Sequence, residues 1–148
     1  MAFRFPLESV LRLRQNLERQ QELLLYQANQ KVFALTRQIE ELDAGMTENA
    51  RYESARLQSG VSAAELQFDL LCRSVLLQWR HDLATKLTEA RSQRDAQAES
   101  FRQARRQREV IETLRRHQLQ AYNQHEARQD QRRADDLFLL RRTYLERS

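Results

Sequence analysis

Three histidines (His81, His117 and His125), one cysteine (Cys72) and two adjacent carboxylate pairs (Glu40-Glu41 and Asp135-Asp136) are the side chains whose types could do chemistry. Their spacing argues against it. No two histidines stand four apart, the spacing that puts two ligands on one helical face, and Cys72 has no second thiol to share a metal. Carboxylates adjacent on a helix point to different azimuths, and nothing around them builds the dry pocket that acid–base catalysis needs. No G-x-x-x-x-G-K-[ST] loop is present to cradle nucleotide phosphates. The expectation is a non-enzymatic chain with no metal and no cofactor.

The residues that would have to position such groups point the same way. The 148-residue chain has two glycines, Gly45 and Gly60, and one proline, Pro6, near its start. A sheet needs turns, and turns need residues that tolerate or fix unusual φ. Leu, Gln, Arg, Glu and Ala, all good helix formers, fill the rest. Charged residues make up 31% and aromatics 7%, which suits an apolar stripe better than a multilayer core. The predicted fold is all-α: an antiparallel two-helix coiled-coil hairpin with a longer second helix, forming one domain over 1–148.

Pro6 suits a first helical position, where its missing N–H costs nothing. Helix 1 is predicted over about 6–58. Its seam reads Leu7, Val10, polar Arg14, Leu17, polar Gln21, Leu24, Ala28, Val32, Leu35, Ile39, Leu42 and Met46. Steps of three and four alternate as one helical face requires, except for a stutter of two fours from Leu24 to Val32. The turn is predicted at about 59–62, where Gly60 can end a helix in the left-handed conformation and Ser62 with Glu65 makes a capping box. Helix 2 follows over about 63–145, with Leu76, Leu83, Leu87, Ala90, Phe101, Ala104, Ile111, Leu119 and Tyr122 in its seam. Arg80, Arg94, Gln97, Arg108 and Arg115 fall between them, their stems expected along the seam and their heads in water. Helix 1 would be roughly 78 Å long and helix 2 roughly 123 Å at 1.5 Å per residue, an overhang of about 30 residues from near Arg115.

The formal net charge is +4, carried by 23 arginines and two lysines against 21 acids. Arginine offers forked contact with carboxylates on a partner. A lone cysteine fits a reducing compartment. The start, Met1 to Pro6, shows no apolar signal segment, and the longest apolar runs are three or four residues, too short to span a membrane. The segment Arg102 to Arg108 is diluted by Glu99, Glu109 and Glu112, so no nucleic-acid partner is expected.

Two regions carry more apolar surface than one stripe can bury. The first follows the turn: Leu66, Phe68, Leu70, Leu71, Cys72, Val75, Leu76, Leu77 and Trp79. Either an extra element packs here or, the favoured reading since the chain offers no third helix, a patch is left for another protein. The second is the end where Phe3, Phe5, Leu7, Val10 and Leu11 are expected to face Leu137, Phe138, Leu139, Leu140, Tyr144 and Leu145. Arg128, Arg132, Arg133, Arg141 and Arg142 flank it, mixed with Asp130, Asp135 and Asp136.

Three features resemble the FliJ family, small stalk proteins of the flagellar type III export apparatus. They are the opening Phe3-Arg4-Phe5-Pro6-Leu7-Glu8-Ser9-Val10-Leu11-Arg12-Leu13-Arg14, the glycine break near 60, and the tail Asp130-Gln131-Arg132-Arg133-Ala134-Asp135-Asp136-Leu137. The resemblance covers essentially the whole chain. It implies a cytoplasmic protein, peripheral at the inner membrane, whose termini-bearing end inserts into a FliI-like export ATPase hexamer and promotes its assembly. It further implies contact with a FlhA-like export gate protein and with export chaperones. On this resemblance Phe3, Phe5, Leu7, Arg132, Arg133, Asp135 and Asp136 fall at the ATPase-facing tip. Phe68, Leu71, Val75 and Trp79 are the candidate gate contact. The competing expectations are the equivalent stalk of a virulence secretion system, a generic coiled-coil scaffold or homodimer, and a basic amphipathic protein on a membrane surface.

Overall fold

The computed structural model describes residues 2–148. Two α-helices pack against each other: α1, Glu8–Ser59 (52 residues), and α2, Ala63–Arg147 (85 residues). The second is longer, as the sequence predicts. Pro6 lies in a turn before α1 and not in its first turn. The Leu7 carbonyl accepts from the Leu11 N–H at 2.9 Å, so Leu7 caps the helix that Pro6 enters.

The reversal is built from the residues that signal it. Gly60 has φ +93°, a conformation that strains any residue with a Cβ. Ser62 Oγ accepts from the Glu65 N–H at 3.3 Å, and the Glu65 carboxylate accepts from the Ser62 N–H at 3.3 Å. This reciprocal pair is the capping box. Val61 and Leu66, the residues on either side of the cap that form a hydrophobic staple, line one small cavity with Leu57.

Contacts divide the chain into two compact units. One is Arg19–Arg102; the other joins the N-terminal residues up to Glu18 to Gln103–Ser148. In the first unit the core is a narrow stripe in which Val32, Leu87 and Ala90 are buried, with Leu35 and Ile39 packed on them. Ala90, only 2% exposed, lets the two backbones approach closely. Leu24, expected in the seam, is exposed and Leu25 takes its place. Inward positions then run Gln21, Leu25, Ala28, Val32, in steps of four, three and four, so the expected stutter is absent. Among the described residues of the second unit, Phe5 and Leu11 are buried.

Four of the five polar seam residues of α2 meet a partner on α1, where sequence reasoning sent their heads to water. In the first unit Arg80 donates to both oxygens of Asp43 at 2.6 and 3.1 Å, and Gln97 donates to Gln21 Oε1 at 2.6 Å. In the second, Arg108 is held between Glu18 and Glu112, and Arg115 pairs with Glu8 at 3.2 Å. Arg94 bonds only its neighbour Asp95. The hydrogen bond from Arg80 holds the Asp43 carboxyl below its usual 3.8. A depressed folded-state pKa adds stability that is present above the unfolded value and lost as pH falls through the folded one. Asp43→Asn is therefore expected to destabilise at pH 7 and to match the wild type well below pH 3.8, read by urea unfolding at both pH values.

Candidate functional site

The first candidate surface lies just beyond the turn. Phe68, Leu71, Val75 and Trp79 are each between 54% and 66% exposed. Their spacing of three, four and four residues puts them on one stripe of α2. Ion pairs join α2 to α1 here, Arg73 with Glu53, Arg56 with Glu65 and Asp69 at 3.4 and 3.5 Å, and Arg80 with Asp43, beside the half-buried Met46 and Leu76. Tyr52 and Leu57 of α1 are also exposed. An uncovered apolar stripe of this kind marks an interaction surface.

Alongside it, Trp79 and Leu76 border an open groove of about 520 Å³ whose other wall is Leu42, Gly45, Met46 and Asn49 of α1. A Cβ on Gly45 would meet nothing within 4 Å, so no close packing inside the chain requires glycine there. Its bare backbone widens the groove beside Trp79.

The second candidate surface is in the other unit. The Phe3 ring packs on Tyr122 with centroids 5.6 Å apart, tilted by 51°. Phe5 is only 7% exposed and Leu7 is half-buried. Phe3 thereby packs the N-terminal segment on α2. Past Gln129 every residue of α2 is exposed. Leu137, Phe138, Leu139, Leu140, Tyr144 and Leu145 are between 55% and 75% exposed, whereas they were expected opposite the N-terminal phenylalanines. Arg132, Arg133, Asp135 and Asp136 stand at the start of this stretch, ten residues or about 15 Å of helix beyond Tyr122. The seven tip residues read from the sequence therefore fall into two groups that do not touch. The signal that could have separated them is the turn: equal numbers of residues counted from Gly60 carry Phe3 to His117, within about a turn and a half of its observed contact at Tyr122 and far from Leu137.

The charged side chains of this stretch make only short-range pairs. Arg133 lies 3.6 Å from Asp130, Gln131 donates to Asp135 at 3.0 Å, and Arg142 pairs with Glu146 at 3.0 Å. Such exposed pairs contribute a few tenths of a kcal/mol each. Their forks remain available to a partner.

Sequence reasoning missed the acceptors on α1. Glu8, Glu18 and Asp43 sit opposite the seam arginines. The signal was there, since each is an acid at or beside a seam position. Among the described residues no group of three His, Cys, Asp or Glu side chains is placed to hold a metal ion, and no helix is long and apolar enough to cross a membrane.

The chain is thus a helical hairpin with polar pairs along its seam and two uncovered apolar surfaces. The family model of the flagellar FliJ protein matches residues 3–146, and the chain belongs to that family. No curated protein and no solved structure gives a significant match.

Proposed function

We propose that this chain is a coupling stalk of the flagellar export apparatus. It inserts the unit carrying both termini into the hexameric export ATPase, promotes ring assembly and hydrolysis, and links the ring to the membrane export gate and to export chaperones. It works in the cytoplasm, at the inner face of the membrane. The observation that carries the reading is the stretch of α2 from Asp130 to Arg147. There the helix runs on fully exposed, with arginines, aspartates and large apolar residues together. Family membership supplies the apparatus. Having no phosphate-cradling loop, the chain would alter hydrolysis only by binding some conformations of the ring more tightly than others. Phe68, Leu71, Val75 and Trp79 form the surface offered to the gate, and Arg132, Arg133, Asp135 and Asp136 the one offered to the ATPase. Phe3, Phe5 and Leu7 hold the tip in place from behind.

The test is to add the purified protein to the purified export ATPase. Specific activity and the oligomer fraction should both rise; no change in either overturns the reading. The double change Arg132→Ala, Arg133→Ala should cut the stimulation about tenfold, a loss of about 1.4 kcal/mol in coupling. Helicity should stay the same, because the only pair lost is the exposed one between Arg133 and Asp130.

A further inference from the structure

The stripe of α2 that meets α1 does not stop where α1 stops. In the unit containing Gln103–Ser148 its half-buried positions run through Arg108, Ile111, Arg115, Leu119 and Tyr122, then Glu126 and Gln129. The same spacing of three and four continues through Arg133, Leu137, Leu140 and Tyr144 to Arg147, with Asp130 opening the run. After the polar interval at Glu126 and Gln129 the stripe is apolar again. Leu137, Leu140 and Tyr144 are 67%, 66% and 75% exposed. Three apolar residues in register on a helix, uncovered among the described residues, call for a second helix laid along them.

We infer that this helix is the same segment of a second copy, packed antiparallel about a two-fold axis between Leu137 and Leu140. The charges select that arrangement. A parallel pair would set Asp130 on Asp130, Arg133 on Arg133 and Arg147 on Arg147, three layers of like charge. Turning one helix end for end puts Asp130 against Arg147, Arg133 over the Tyr144 ring and Leu137 against Leu140. The two-fold repeats each contact, giving six layers with no like-charge pair. An ion pair, a cation–π contact and an apolar contact thus come from one self-complementary patch, as a two-fold interface requires. Neither Asp130 nor Arg147 is held in the monomer by more than short-range contacts, so both are free to exchange partners.

The contact spans about five helical turns, a small interface near the lower bound for specific association. The dimer is therefore weak and depends on concentration. It covers the residues offered to the ATPase under the proposed function, so the self-paired and ring-bound states exclude each other. The self-association itself does not rest on that reading and is tested without the ATPase.

Sedimentation equilibrium of the full chain from about 1 to 500 µM should show a reversible monomer–dimer equilibrium with Kd on the order of tens of micromolar, the weak end expected for so small an interface. Asp130→Arg and Arg147→Asp should each weaken it by about tenfold, since each creates two symmetry-related like-charge contacts. The double variant should return to within about threefold of the wild type. Leu137→Glu, beside the axis, should leave only monomer, with the helical circular dichroism of the wild type. A chain that stays monomeric throughout, a dimer indifferent to Leu137→Glu, or a double charge variant no better than either single one overturns the inference.

Discussion

Leu87→Ala should lower the unfolding free energy by about 2–3 kcal/mol, since burial of a leucine contributes about that much and little can move in to replace it. Leu87 is 9% exposed and packs with Val32 and Ala90 in the stripe that forms the core of the first unit. Only six hydrophobic residues among those described are buried, so each carries a large share of the total. For a chain of this size the midpoint of thermal unfolding should fall by roughly 5–10 °C, read by circular dichroism at 222 nm. A shift under about 1 °C would mean that the apolar stripe does not hold the helices together.

The opposite pattern is expected on the far side of α2. Changing Phe68 and Trp79 together to serine should leave the thermal midpoint within about 2 °C of the wild type, because both rings are more than half exposed. Affinity for the export gate protein should fall at least 30-fold, about 2 kcal/mol, the loss expected for aromatic anchors at the centre of an interface. Isothermal titration against the soluble portion of the gate protein gives the number. Unchanged affinity would remove this stripe from the proposed function, and a collapse of the fold would make it structural. The pair of experiments separates residues that hold the hairpin from residues that present it.

Much of the fold was legible because its strongest signals are local. Gly60 has one reason to stand where it does, and Ser62 with Glu65 three residues on starts a helix whatever surrounds it. The excess of apolar residues between Leu66 and Trp79 was legible by counting, since one neighbouring helix covers one face only. Three things were not. The choice between Leu24 and Leu25 depends on the helical phase carried from Gln21, and a run of three leucines hides that phase. The partner of Phe3 depends on register, which similarity of residue type at the two chain ends cannot fix. The seam arginines looked like solvated side chains because their acceptors lie 37 to 107 residues away along the chain. Pattern reading along one helix does not see across to the other.

The ion pairs near the bend make the hairpin respond to its medium. Near the bend Arg73 with Glu53 and Arg80 with Asp43 add guanidinium–carboxylate contacts to the half-buried Met46 and Leu76, whereas Val32, Leu87 and Ala90 join the helices through hydrocarbon. Dissolved electrolyte screens the first kind of join and leaves the second intact or tightens it. As ionic strength rises, the ionic share of the join beside Trp79 weakens while the hydrocarbon join in the middle of the same unit holds.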